Sequence, residues 1–141
     1  MEHYRKLERM YQAAPINEYF RPQLTVGAET AEVRIPVREA FFHTGGAMHG
    51  SVYFKAMDDA AFFAANSIVE DVFVLTARFE IQFLAPVRGG EVRAVGRVRE
   101  KTDRRIVATA ELFDKTDTLV GRGEGSFARS KISLNSTVQY R

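Results

Sequence analysis

Residues 43–59 read HTGGAMHGSVYFKAMDD, a glycine-punctuated turn that runs into an apolar segment carrying two adjacent carboxylates. Met48, Val52, Ala56, Ala60 and Ala64 recur at every fourth position, and Tyr53, Phe54, Met57, Ala61, Phe62 and Ala65 widen that stripe. The spacing predicts a helix from Met48 to about Val69, apolar almost all round and therefore buried. Small alanines along one stripe let other backbones approach closely. Asp58 and Asp59 interrupt this helix at consecutive positions, ~100° apart around its axis. An unpaired buried carboxylate is costly. Each therefore faces solvent or pairs with an arginine, or serves as a base or nucleophile of raised proton affinity.

On both sides the period differs. Upstream, Tyr4, Leu7, Met10 and Tyr11 predict a short amphipathic helix over residues 3–14, which Pro15 ends. Leu24 to Pro36 alternates apolar and polar and reads as a strand pair turning near Glu29–Thr30. Downstream, Phe73, Leu75, Ala77, Phe79, Ile81, Phe83 and Ala85 alternate within Val72–Pro86. Three more strands follow: Val92–Val98, continuing to about Lys101, then Ile106–Phe113 and Leu119–Ala128. Turns fall at Gly89-Gly90, Asp103-Arg104 and Lys115–Asp117. The expected organisation is one domain over residues 1–141, with 1–20 an N-terminal helix and linker and 130–141 a polar tail. Its class is two-layer α+β. The long helix is too apolar for a sheet covering one side only, so the sheet wraps round it, a second subunit helps, or both.

The 141 residues suit a single domain, and 45% apolar content is enough for a core. Twenty Lys and Arg against 18 Asp and Glu leave a net charge of +2, which gives no strong pull toward nucleic acid or an anionic membrane. Neither is expected as a partner. The chain has no cysteine, which excludes thiolate catalysis, disulfides and zinc-thiolate sites. His3, His43 and His49 are too scattered for a His-rich metal site, so no metal is expected. The first 14 residues mix charge with apolar groups, unlike a signal peptide. No apolar run approaches the ~18 residues of a membrane span, and the cytoplasm is the expected compartment.

Gly45, Gly46 and Gly50 bracket His49 where the long helix begins. A helix N-terminus presents unpaired N–H groups and the positive end of the dipole. That geometry suits a developing oxyanion; a tight turn alone also explains the glycines. His49 reads equally as a cap or a packing residue. From Gly50 to Asp58 is eight residues, or ~12 Å of helix. A carboxylate that far away cannot act on a carbonyl held at the N-terminus of its own helix. If both ends serve one reaction, the turn of one subunit must meet the helix middle of another, in a dimer with antiparallel central helices.

HTGGAMHGSVYFKAMDD resembles the motif of the hot-dog-fold thioesterases of the phenylacetate-pathway type, in which His-Gly-Gly stands nine residues before an acidic residue. His49 and Asp58 match that spacing. FEIQFLAPVRGGE, residues 79–91, resembles the family's strand that ends in an aromatic, a Pro and a Gly before an acidic residue. The resemblance runs from about Leu24 to Ala128. It implies a hot-dog fold, a long central helix wrapped by a curled antiparallel β-sheet, assembled as a homodimer and further as a homotetramer. It implies an acyl-CoA thioesterase that needs no cofactor beyond the coenzyme A of its substrate. Asp58 would be the base or nucleophile, and the Gly50 N–H would polarise the carbonyl. His49 would orient the turn or the carbonyl, and Thr76 would hold the attacking water; an ordinary strand threonine is the alternative for Thr76. Asp59 is the fallback base.

Two positions depart from the family. His43 stands where the family has Asn, and can still hydrogen-bond a carbonyl or water. Ser51 replaces the second Gly of the motif and narrows the room for substrate. Lys101, Arg104 and Arg105 at the hairpin, with Arg88 near Gly89-Gly90, are candidates for the coenzyme A phosphates; a solvated hairpin tip is the plainer reading. Phe41, Phe42, Tyr53, Phe54, Phe62 and Phe63 are candidates for an acyl pocket, or for the core. Two rivals stand beside the hydrolase. A hydratase or dehydratase would pair its Asp with a His a few residues on, and Asp58 is followed by Asp59-Ala60-Ala61-Phe62 instead. A non-catalytic acyl-CoA binder is compatible with His43 and Ser51. As a regulator it would need a DNA-binding module, for which the ~20 residues before Leu24 are too few.

Overall fold

The computed structural model describes residues 1–137 and 139–141. Helix α1 spans Glu2–Ala13 and the single-turn α2 spans Asn17–Phe20, where the sequence predicted only a linker. Strands β1 (Gln23–Gly27) and β2 (Thr30–Pro36) form the expected hairpin, with Glu29 at φ 59° in its turn. The long helix α3 covers Gly50–Asn66, 17 residues. It is shorter at both ends than its apolar pattern, because His49 caps it and Ser67 closes it. Strands β3 (Val72–Phe83), β4 (Glu91–Lys101), β5 (Arg105–Phe113) and β6 (Leu119–Ser133) follow.

All six strands pair antiparallel in the order β1-β2-β4-β5-β6-β3. The sheet curls round α3, which touches every strand. Ala56, Met57, Ala60, Ala61, Ala64 and Ala65 are fully buried against it. The helix keeps one stripe that the sheet does not seal, running through Ser51, Phe54, Asp58 and Phe62 at helical spacing. This is the hot-dog arrangement. No helix among the described residues is long and apolar enough to cross a membrane.

The sheet has two edges, and the chain treats them differently. At β1, Arg5 of α1 donates to the Val26 carbonyl at 2.8 Å and Glu8 accepts from the Val26 N–H at 2.8 Å. The two side chains pair with each other at 3.0 Å. That clamp occupies backbone groups that an open edge strand would offer to another chain. The β3 edge is held this way only at its start, where Asn66 bonds the Val72 carbonyl and the Val74 N–H; among the described residues no helix clamps the rest. It displays Leu75 at 46% and Phe83 at 58% exposure.

Two expectations need correction. The alternation through Phe73, Leu75 and Ala77 into Phe79 and Phe83 is not one continuous face. A bulge between Thr76 and Arg78 inserts Ala77 as an unpaired residue. Before it, Val74 and Thr76 face α3; after it, Phe79 and Phe83 do, stacking on Phe54 and Tyr53. One extra residue exchanges the faces of a strand. The tail expected over 130–141 is also largely built in. Strand β6 continues to Ser133, Leu134 is buried, and the Tyr140 hydroxyl lies 2.7 Å from Nδ1 of the buried His3.

Candidate active site

At the N-terminus of α3, His49 is the capping residue, with extended backbone at φ −65° and ψ 145°. Its Nδ1 accepts the Ser51 N–H at 3.0 Å and lies 2.9 Å from Ser51 Oγ. The Val52 N–H returns to the His49 carbonyl at 3.0 Å. Among the described residues, the Gly50 N–H donates to no protein acceptor. It is an orphan donor at the positive end of the helix. Gly50 also packs closely on β3: a Cβ there would stand 3.1 Å from the Phe83 ring. His43 approaches the same place with Nδ1 accepting the Gly45 N–H at 2.9 Å. In the neutral ring this leaves Nε2 protonated and free to donate. Gly50, His43, Tyr53 and Phe83 line one cleft of about 390 Å³.

Asp58 lies on the unsealed stripe of α3. Thr76 Oγ1 donates to its Oδ1 at 2.9 Å. The Ala77 bulge turns Thr76 inward to make this bond, and the buried Asn66 fixes the entry to β3 by accepting the Val74 N–H at 3.0 Å. Burial pushes the Asp58 carboxyl up to about 6; the Thr76 bond opposes this, Asp59 adds to it and Lys55 opposes it. A second cleft, of about 300 Å³, opens beside Asp58 and Thr76. Its walls are mostly apolar, with Phe62 and Phe63 from α3, Phe73 and Leu75 from β3, and Met10 and Tyr11 from α1.

The expected site is thus divided. The structure brings Asp58 to Thr76 and Gly50 to His43, but the two clefts share no residue. His49 and Ser51 face a third cleft, of about 240 Å³, with Tyr19, Phe20, Phe41 and Phe42. Of the two roles open to His49, its geometry is that of orienting the turn. Phe62 and Phe63 fall beside Asp58, Tyr53 falls beside Gly50, and Phe54 points outward at 42% exposure. The four expected cations do not form one group. Arg88 follows β3 at the Gly50 end, near enough to Tyr53 to act on its hydroxyl, whereas Lys101, Arg104 and Arg105 stand at the β4–β5 tip. They are separated by the length of β4, ~33 Å. The tip is level with the other half of the site, since Arg105 pairs with Ala128 and Ala128 with Leu75.

Asp59, the fallback base, has its Oδ2 taken up by two partners. Lys55 Nζ is 2.8 Å from Asp59 Oδ2, and the Tyr11 hydroxyl donates to the same oxygen at 2.6 Å. Sequence reading missed both partners. Lys55 and Asp59 stand four residues apart, a spacing that places them together on a helix. Tyr11 carried no such signal, because 48 positions separate it from Asp59.

Comparison with known proteins agrees with this architecture. The model of the thioesterase superfamily matches residues 45–121. A candidate esterase of Saccharolobus solfataricus is 31% identical over 97 residues, 69% of each chain. The solved structure of a conserved protein of Pseudomonas aeruginosa is 31% identical, covering 86% of this chain and 98% of that one at a TM-score of 0.80. The PaaI protein of E. coli, from the phenylacetic acid degradation operon, superimposes over 94% and 96% of the two chains at a TM-score of 0.85. At 19% identity this last likeness is one of fold.

Proposed function

The chain belongs to the thioesterase superfamily and is a thioester hydrolase; from that premise we propose that it hydrolyses acyl-CoA to the free acid and coenzyme A. The observation that carries the reading is Asp58, a carboxylate of raised proton affinity bonded to Thr76 at the wall of an apolar cleft. In this reading Asp58 is the general base. Water that donates to the free Asp58 oxygen and is held beside Thr76 attacks the thioester carbon while Asp58 takes its proton. The carbonyl oxygen becomes an oxyanion on the Gly50 N–H. The C–S bond then breaks, and Asp58 returns the proton to the departing thiolate. The acyl group lies among Phe62, Phe63, Phe73 and Tyr11.

These steps need Asp58 and Gly50 within one substrate's reach, and on one α3 they lie ~12 Å apart. A homodimer closes that gap. The β1 edge is clamped by Arg5 and Glu8, which leaves β3 as the edge for pairing. A two-fold antiparallel contact centred on Glu80, with the bulged Ala77 left out of register, sets Thr76 opposite Phe83 of the partner subunit. Gly50, packed on its own Phe83, arrives with it. The same contact carries Arg88 of the partner subunit toward the end of the sheet that holds Lys101, Arg104 and Arg105, where coenzyme A phosphates would meet cations from both chains.

Release of free coenzyme A from short-chain, medium-chain and aryl acyl-CoAs tests the activity. Turnover of at least one class is expected; tight binding without release across all of them would favour a non-catalytic binder. Gly50→Pro tests the oxyanion donor. Proline is favourable at a first helical position, and His49 already has the extended backbone it requires, so the helix start survives while the N–H is lost. A fall in kcat of about 10²- to 10³-fold is expected. Gly50→Ala, which keeps the N–H, should be far milder. Co-expressed Asp58→Asn and Gly50→Pro chains should regain activity, because mixed dimers hold one intact site. No recovery would place both groups in service of the same chain, against the shared site.

A further inference from the structure

Asp59 is one residue from the proposed base and lines the same cleft, yet its hydrogen bonds run to two other side chains of that wall. Lys55 and Tyr11 both bind its Oδ2, and the Lys55 and Asp59 side chains keep only 12% and 17% exposure. The Lys55 ammonium also lies 5.3 Å from the centre of the Tyr11 ring and 5.4 Å from that of Phe20. Three elements therefore meet on one charge pair: Tyr11 of α1, Phe20 of α2, and Lys55 with Asp59 of α3. Stability alone does not account for such a pair, since a buried ion pair roughly breaks even against apolar residues of the same volume. What it does create is a fixed charge beside Asp58. The charged and titratable groups facing Asp58 are Lys55 and Asp59 on its own helix and Tyr11 on α1; β3 contributes the neutral Thr76.

We propose that Asp59, held as an anion by Lys55 and Tyr11, is a positioning residue for hydrolysis: its charge sets the pH at which Asp58 becomes a working base, and Tyr11 ties that setting to the docking of α1. The proposal rests on Asp58 being the base. Its physical content is the competition of neighbouring carboxylates for a proton. Burial pushes the Asp59 carboxyl upward as well, while the cation and the phenol on Oδ2 pull it back toward the anion. The ion pair at 2.8 Å is the geometry of the charged form. An anionic Asp59 repels charge on Asp58, and Lys55 offsets part of that repulsion.

The pH dependence of kcat/KM on an acyl-CoA substrate tests this in three forms of the full chain. In wild type the acid limb should have its midpoint at about 6, where Asp58 loses its proton. Asp59→Asn removes the repulsion and leaves the Lys55 cation, so the limb should move to lower pH by about one unit. The Lys55→Met/Asp59→Asn double variant leaves no unpaired charge in the core, and its limb should fall between the other two. It also keeps the comparison available should the single variant fold poorly. A residue that merely braces α1 would lower activity at every pH and leave the limb in place. Superimposed limbs, or a shift to higher pH, would overturn the proposal. Retained turnover in Asp58→Asn would overturn the base assignment and this proposal together; a dead Asp58→Asn with superimposed limbs would overturn this one alone.

Discussion

Asp58→Asn is expected to lose turnover and gain stability. Removal of a general base lowers kcat by about 10²- to 10⁴-fold. Asparagine keeps the volume of the side chain, and its Oδ1 can still accept the Thr76 hydroxyl, so the fold has no reason to change. The stability gain follows from linkage. The Asp58 carboxyl is raised from 3.8 to about 6 in the folded chain, with burial as the largest cause. Between those values the folded protein holds a proton that the unfolded chain has released. Stability therefore falls as pH climbs through this window, and the loss is complete above about 6. The whole shift is worth ~3 kcal/mol at most, and solvent at the cleft mouth reduces it. Asparagine, which carries no charge, should thus be more stable than wild type by about 1–2 kcal/mol at neutral pH, with the advantage shrinking toward pH 4. Thermal melts at pH 4 and pH 7.5, set beside kcat, test both halves. A variant that keeps turnover sinks the catalytic role. One that melts below wild type at pH 7.5 sinks the account of Asp58 as a group charged at the expense of the fold.

What the sequence disclosed, and what it hid, follows from the reach of each signal. The α3 stripe and the hairpins at Glu29, Asp103 and Lys115–Asp117 rest on local periods and turn residues, and all appear as expected. The division of the site was legible as well, because helix rise is a constant: eight residues separate Gly50 from Asp58 in any fold that keeps the helix. The bulge at Ala77 was not legible. Phe73, Leu75, Phe79 and Phe83 alternate evenly through it, and only pairing with β6 shows that the extra residue exchanges the faces. Thr76 was a candidate on resemblance, but its approach to Asp58 depends on that bulge. The separation of Arg88 from the hairpin cations within one chain was hidden for a related reason, since proximity to either end of β4 does not reveal the strand between. Tyr11 looked like an ordinary core aromatic on an amphipathic helix; its hydroxyl acquires a purpose only when α1 lies against Asp59.

Gly96→Ala should destabilise the protein far more than the same added methyl group at Gly50 or Gly121. Gly96 sits on β4 under the middle of α3. A Cβ built on it would stand 2.2 Å from the Ala60 carbonyl oxygen, 2.4 Å from the Ala60 carbonyl carbon and 2.7 Å from the Ala61 nitrogen. All three are backbone atoms of the helix, so no side chain can turn aside. Relief requires α3 to lift from the sheet or β4 to bow away from it. Overpacking a close-packed core typically costs about 1–3 kcal/mol, and a rigid backbone partner puts this case at or beyond the upper end. Ala60→Gly should not rescue it, because the obstruction is the carbonyl group and not the Ala60 methyl. Gly121 supplies the contrast on β6. A Cβ there would meet the far end of the flexible Met57 side chain at 3.2 Å, the Tyr53 ring at 3.4 Å and the Gln82 carbonyl oxygen at an ordinary 3.5 Å, so Gly121→Ala should unfold near wild type. Urea unfolding of Gly96→Ala, Gly121→Ala and the Ala60→Gly/Gly96→Ala pair tests the ranking, and equal losses at Gly96 and Gly121 would refute it. The effect should also reach the chemistry. The Asp58–Thr76 bond spans α3 and β3 at 2.9 Å, so a helix lifted enough to admit the methyl group lengthens it. Gly96→Ala that is still folded at low temperature should therefore hydrolyse slowly, although Gly96 contacts none of the reacting groups. The close approach that the alanine stripe permits from the helix side is completed by this glycine from the sheet side, and it fixes the height at which Asp58 is presented.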